Sequence, residues 1–416
     1  MLSVQPRPYL LQNPVQHYAW GTRDEEAFIA KLLGVKAQPG LPYAELWMGT
    51  HPNAPSQVLS GDQPVPLPAW IAAHPQAALG ERIARRFAGK LPFLFKVLSA
   101  GEALSIQAHP DKSQAGRLHA NDPEHYPDDN HKPEIAIALD TLSALTGVKP
   151  FSRMVETLEH YPEIAAFLGP DIFGLIPWAQ SSTARQRDFS SQAFRTLIQR
   201  SISAQAELQA TLARLARRFD RSAPTDLEPE ERLFLSLREQ YPDPDVGLLA
   251  IFLLNRVTLQ AGQGLYTPAG VPHAYLKGNI VECMANSDNV VRVGLTPKFK
   301  DAPALLEILA VPDELSAVHL LPGQPQAEQV IYTTPAQEFR LTCYHLKPDV
   351  ERTERSDDGL AILLVTTGKL QVQWQEDGLA HSETFQPGQA VFIPALLETF
   401  RLHAIQESVI FKVNVP

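Results

Sequence analysis

Short apolar runs separated by turn residues dominate the first third of the chain. Phe93-Leu94-Phe95-Lys96-Val97-Leu98 and Leu104-Ser105-Ile106-Gln107 have strand length, and turns such as Gln38-Pro39-Gly40 punctuate them. Gln12 to about Lys149 therefore predicts a strand-rich segment, with one short helix over Leu79 to Gly89. At Phe151 the period changes. Phe194, Leu197, Ile198 and Ile202 fall on one helical face, and Leu208, Leu212, Leu215 and Phe219 recur at helical spacing. Met154, Val155, Leu158, Leu233 and Leu237 belong to similar patterns. Residues 151 to about 250 predict a helical insertion with Arg and Glu on its outer faces. Strand texture returns at Arg256 and continues to the end, including Ala361 to Thr366 and Leu370 to Trp374.

A faint repeat lies within this last region. Ala261-Gly262-Gln263-Gly264-Leu265-Tyr266-Thr267-Pro268-Ala269 parallels Pro387-Gly388-Gln389-Ala390-Val391-Phe392-Ile393-Pro394-Ala395. Each copy is a glycine turn entering an apolar strand that stops at Pro-Ala, which suggests two β-units of one design. His273 follows the first copy where Thr399 follows the second, so only the first unit offers a metal ligand there.

Length and composition narrow the class. A chain of 416 residues predicts two or three domains at about 150 residues each. The 36 prolines, about 9% against a usual ~5%, fit many short strands better than helical repeats. Two cysteines, Cys283 and Cys343, make no disulfide framework and point to a reducing compartment. Residues 1 to 14 lack the pattern of a secretory leader, and the longest charge-free apolar run, Val246 to Leu254, is too short to span a bilayer. The expected location is the cytoplasm, with no membrane partner. A net charge of −10, from 36 basic and 46 acidic side chains, disfavours nucleic acid. Taken at face value it also argues against an anionic ligand. Lys96, Lys112, Lys132, Arg292 and Lys298 are cationic groups close in sequence to the polar segments described next.

Residues two apart in a strand share a face, so Gln107 and His109 project together. His131-Lys132-Pro133-Glu134 adds a carboxylate beside a fixed turn, and His273 follows Pro272. Two imidazoles, a carboxylate and an amide oxygen suit Zn²⁺, with Mn²⁺, Fe²⁺ and Co²⁺ left open. Glu282 and Arg292 are charged residues in apolar surroundings, and so either a structural pair or active-site groups. Cys283 has no local base to make it a nucleophile.

The segments Gln107-Ala-His109-Pro-Asp-Lys112, Asn130-His-Lys-Pro-Glu134 and Tyr266-Thr-Pro-Ala-Gly-Val-Pro-His273-Ala-Tyr275 resemble type I phosphomannose isomerases. So do Glu282 through Ser287-Asp-Asn-Val-Val-Arg292 to Lys298, Tyr18-Ala-Trp20-Gly21, and Tyr43-Ala-Glu45-Leu-Trp47-Met-Gly49-Thr-His51-Pro52. These motifs occur in the family's order from residue 12 to about 301, interrupted only by the helical insertion.

The resemblance implies a mainly β fold: a cupin or jelly-roll catalytic barrel over 1–150 and 251–320, a helical domain over 151–250, and a C-terminal jelly roll over 321–416. It implies one zinc per chain on Gln107, His109, Glu134 and His273. It places catalytic roles on Arg292, Glu282, Lys132, His131 and Tyr275, and phosphate contacts on Lys96, Ser105 and Lys298. The implied reaction interconverts mannose 6-phosphate and fructose 6-phosphate through an enediol(ate), supplying mannose metabolism and GDP-mannose synthesis. A monomer with a phosphosugar substrate is expected. A non-catalytic sugar-phosphate binder and a different metal-dependent cupin enzyme are the alternatives. The base that removes the C2 proton is left open between Glu282 and Lys132.

Overall fold

The structure is a computed structural model, and it describes residues 4–59, 63–323, 328–356 and 359–416. Helices and antiparallel sheets are mixed, with sheets of eleven, eight and four strands among the described residues. The sequence reading anticipates a barrel, and the structure bears this out only in its coarser part. Among the described residues the backbone ladder of the largest sheet ends openly at His319–Leu321, Val15–Gln16, Leu254–Leu259 and Val291–Gly294 instead of closing into a ring.

One strand organises that sheet. His273–Ala285 runs for 13 residues and bends near Gly278, where φ is +133° and a Cβ would meet the backbone of Thr141 and Leu142. Before the bend it pairs with Ile106–Ala108 and Leu142–Val148. After it, the partners are Phe93–Ala100 and Glu134–Ala138. His273 and Glu282 thus share a strand but face different neighbours.

The helices between residues 151 and 253 bury the predicted faces. In Thr183–Ser203, Phe194, Leu197 and Ile198 are buried, and in Gln205–Phe219 so are Leu208, Leu212, Leu215 and Phe219. Ile202 departs from the expectation: it sits in the last turn of its helix and is 52% exposed. This helical core is continuous with the sheet, since Ile106, Ala108, Leu145, Ala274, Val291 and Val293 belong to the same apolar cluster. The helices therefore back the strands that carry Gln107, His273 and Arg292. Asp245 adds a polar tie: its Oδ1 accepts the N–H groups of Gly247 and Leu295, each at 2.7 Å, just beyond Arg292.

Two local expectations change. The single helix over Leu79 to Gly89 becomes Pro75–Leu79 and Glu81–Arg86, broken at Gly80 with φ +87°. A helix also interrupts the strand-rich segment at Lys112–Asn121. It starts at a capping box, where Asp111 Oδ1 accepts the Gln114 N–H and Gln114 Oε1 accepts that of Asp111, both at 2.8 Å.

The repeat has a structural counterpart. Gly264–Thr267 and Ala390–Ile393 are both fully buried four-residue strands, entered past Gly262 (φ +83°) and Gly388 (φ +82°). The second pairs with the first strand of the chain, Tyr9–Gln12, which in turn pairs with Gln57–Val58. Both ends of the chain thus share the eight-stranded sheet.

Candidate metal centre and active site

His109 follows the strand Ile106–Ala108, Glu134 opens Glu134–Ala138, and His273 opens the long bent strand. A backbone bond joins two of these segments, since the Gly270 N–H donates to the His109 carbonyl at 2.8 Å. Gly270 has φ +75°, and a Cβ there would lie 2.4 Å from the Ile308 carbonyl, so only glycine fits this approach.

The three side chains converge. His273 Nε2 lies 3.2 Å from Glu134 Oε2, and His109 Nε2 lies 3.5 Å from Glu134 Oε1. All three ligand atoms fall within 4.8 Å of one another. The side chains are at most 3% exposed, yet His109 Nε2, His273 Nε2 and Glu134 Oε2 have no hydrogen-bond partner. Three orphaned buried polar atoms at one point are costly unless a cation completes them. The opposite ring nitrogens settle the tautomers: His109 Nδ1 donates to the Asn289 carbonyl (2.8 Å) and His273 Nδ1 to that of Val271 (3.0 Å). Both Nε2 atoms therefore present lone pairs, as metal-bound histidines do.

Charge agrees with this donor set. Burial pushes His109 down to about 4, so the ring is neutral. Burial would raise Glu134, but the nearby Lys132 ammonium is the chief influence against it, and the carboxyl is held well below its ordinary value. Lys132 Nζ is 3.3 Å from Glu134 Oε1. Two imidazoles and one carboxylate fit Zn²⁺. Gln107 is directly opposite both His273 and Arg292 in the strand register. Cross-strand partners share a face, so Arg292, Gln107 and His273 form one row.

Beside the metal ligands lies a buried charge network. Lys96 Nζ is 2.9 Å from Glu282 Oε2 and 3.7 Å from Glu45 Oε1. Tyr275 donates its hydroxyl to Glu282 Oε1 at 2.8 Å, and Trp47 Nε1 donates to Glu45 Oε2 at 2.5 Å. Burial works against the Lys96 charge, but Glu282 and Glu45 overcome it and raise its pKa. Glu282 is also raised, because burial and the neighbouring carboxylates Glu134 and Glu45 outweigh Lys96. One ammonium is shared between two carboxylates. The cation paired with Glu282 is thus Lys96 and not Arg292, and an ammonium matched twice offers little field to a phosphate. Burial holds Tyr275 well above its ordinary value, so its hydroxyl keeps its proton. Burial does the same to the Cys283 thiol, which leaves it inert as a nucleophile.

The remaining candidates are more open. Arg292 and Ser105 are partly exposed and Lys298 is exposed. His131 Nε2 donates to Glu338 Oε1 at 2.8 Å. Glu45, Glu338 and a clamp around Asn289 are site residues that the sequence reading gave no role. Asn289 Nδ2 donates to the carbonyls of Asp128 (2.7 Å) and Asn130 (3.0 Å), and the Asp288 N–H donates to Asp128 Oδ2 (2.8 Å). The rule that flagged Glu282, a charge inside an apolar strand, applies equally to Glu45 in Glu45–Gly49.

A family model described as phosphomannose isomerase type I, catalytic domain, matches residues 9–151. Mannose-6-phosphate isomerase of Mus musculus is 37% identical to this chain, covering 99% of it and 97% of its own length. The Homo sapiens protein of that name is 39% identical over 87% of this chain and 88% of its own. A crystal structure of mannose 6-phosphate isomerase from Salmonella typhimurium, bound to substrate (f6p) and zinc, matches with a TM-score of 0.81 and 30% identity, covering 98% of this chain and 99% of that one. A structure of mannose 6-phosphate isomerase bound with zinc and yttrium gives a TM-score of 0.82 at the same identity and coverage. With relatives matched along nearly its whole length, this chain belongs to the type I phosphomannose isomerase family.

Proposed function

We propose that this chain is a zinc-dependent isomerase that interconverts mannose 6-phosphate and fructose 6-phosphate. The observation that carries the reading is the set of three orphaned ligand atoms beside the buried Glu282 network. Gln107, His109, Glu134 and His273 would hold the ion. When bound, zinc supplies a positive charge against the negative oxygen that develops in the reaction.

The open-chain aldose loses its C2 proton, becomes an enediol(ate), and regains a proton at C1 while the hydroxyl proton moves from O2 to O1. Glu282 suits the carbon proton, since burial brings its pKa up and each of its oxygens keeps a second lone pair beside Tyr275 and Lys96. Lys96 keeps that carboxylate oriented. Arg292, in the row with Gln107, opposes the enediolate charge. Lys132 and His131 handle the oxygen-bound proton, and the 6-phosphate meets Lys298 and Ser105 at the open side.

The finer fold reading also belongs here. The bend that lets one strand serve two sets of partners supports a cupin-type unit over 1–150 and 251–320. The helices support a helical insertion over 151–250 packed on the sheet through a shared apolar core, and the paired glycine turns support a second jelly roll over 321–416 whose sheet also takes in Tyr9–Gln12. Two free buried cysteines support a cytoplasmic location. No described helix is long and apolar enough to cross a membrane. The decisive experiment is metal analysis with a coupled assay for fructose 6-phosphate formation. One equivalent of zinc and chelator-sensitive turnover are expected; a zinc-loaded protein without turnover refutes the proposal.

A further inference from the structure

The C-terminal part of the chain reaches into the candidate site at one point. Glu338, on the connection before the strand Arg340–Leu346, accepts a hydrogen bond from His131 across 207 positions of sequence. Glu338 is 13% exposed and His131 31%. The second carboxylate oxygen of Glu338 is also held, by the Gln337 N–H at 3.0 Å. Its flanks are fixed in the core, because Ala336 and Phe339 are buried in the same apolar cluster as Ile135, Ile137 and Val281. Glu338 is therefore a rigid post.

The segment it touches has little regular structure of its own. Between the helix ending at Asn121 and the strand starting at Glu134, the chain is held by side-chain bonds. Asn130 donates from Nδ2 to the Asn286 carbonyl at 2.8 Å, and its own carbonyl accepts from Ser287 and Asn289, both at 3.0 Å. Asn130 and His131 are thus two successive anchors directly before Lys132, and the strand Glu134–Ala138 fixes the chain after it. The Asn130 anchor comes from the connection between the strands His273–Ala285 and Val291–Gly294. The His131 anchor comes from Glu338.

We propose that Glu338 is a positioning residue for His131, and through it for the loop that brings Lys132 to Glu134. This rests on the reading of His131 and Lys132 as active-site groups. It gives the C-terminal part a role in the reaction beyond packing, with no contact to substrate required of it.

The test uses the full zinc-loaded chain. Glu338→Ala should lower kcat about tenfold, the size expected for an outer partner of a site group, while KM for mannose 6-phosphate stays within about twofold. Zinc content and Tm should stay near those of the parent. Glu338→Gln keeps one acceptor for the ring and should recover most of the loss. In His131→Ala, adding Glu338→Ala should cost nothing further, because the two act as a unit. The proposal is overturned if Glu338→Ala leaves kcat within twofold, if the two losses multiply, or if kcat falls only in step with zinc and Tm without recovery by Gln. Full turnover in His131→Ala would instead overturn the reading of His131. A slow His131→Ala beside a fast Glu338→Ala would remove Glu338 alone.

Discussion

Replacing Lys96 with Met leaves a side chain of similar length and removes the one ammonium shared by Glu282 and Glu45. The two ion pairs that this ammonium makes are 2.9 and 3.7 Å long, between side chains 7%, 3% and 8% exposed. At an effective dielectric of ~20 these two attractions together amount to roughly 10 kcal/mol. Much of that is offset because the ammonium no longer has to be desolvated, which leaves a net loss of about 3–5 kcal/mol. The carboxylates can escape by taking up protons, so the loss depends on pH. Glu282 has a folded-state pKa above its ordinary value, and such a group costs stability as pH rises through that pKa. Without Lys96 the pKa climbs further. The deficit of Lys96→Met is therefore largest near about pH 8 and shrinks toward about pH 5. Thermal unfolding of the zinc-saturated proteins across this range should show a Tm lower by roughly 3–6 °C at the upper end. Adding Glu282→Gln to Lys96→Met should restore part of it. A Tm deficit that is absent at high pH, or equal at both ends, refutes the shared-charge account.

Three other outcomes follow from the site. Asn289→Ala strands the carbonyl of Asp128, leaves that of Asn130 to Ser287 alone, and loosens the carbonyl that orients His109. It should cost roughly 2–4 kcal/mol of stability and weaken zinc binding about 10–100-fold in chelator competition; unchanged affinity would remove the clamp from the metal site. Glu134→Ala should leave the purified protein well below one equivalent of zinc by elemental analysis, and a full equivalent contradicts the ligand set. Arg292→Ala should lower turnover by about 10²–10³ with zinc near normal, and undiminished turnover in the coupled assay excludes its charge-stabilising role.

Three of the four candidate ligands, His109, Glu134 and His273, converge as a group that could hold a metal. Their local spacing left the connection open, and the resemblance of the segments around them singled them out. Pairing was not legible. Glu282 finds Lys96 because those residues are in register on neighbouring strands, and a shift of one position would have turned Lys96 to the other face. The link from His131 to Glu338 spans two separate β-regions and left no spacing to read. Helical faces were legible over most of their length, failing at Ile202, where the helix outruns its packing partner. The helix Lys112–Asn121 was missed because its face is weakly apolar and only Ala115 is buried, so its start depends on Asp111 and Gln114 instead of periodicity.

The pairing of Tyr9–Gln12 with Ala390–Ile393 also sets a timetable for synthesis. At about 5–20 residues per second, roughly 20–80 s separate the two strands as they leave the ribosome. Gln57–Val58 can cover one edge of the early strand within seconds, but the other edge stays open until the last tenth of the chain arrives. An open strand edge invites pairing with a neighbouring chain. Here the exposure is limited by length, since the early strand has only four residues and its first partner two. The eight-stranded sheet is thus a late product of translation, and a transcript cut short before residue 390 leaves the first strand permanently half-paired.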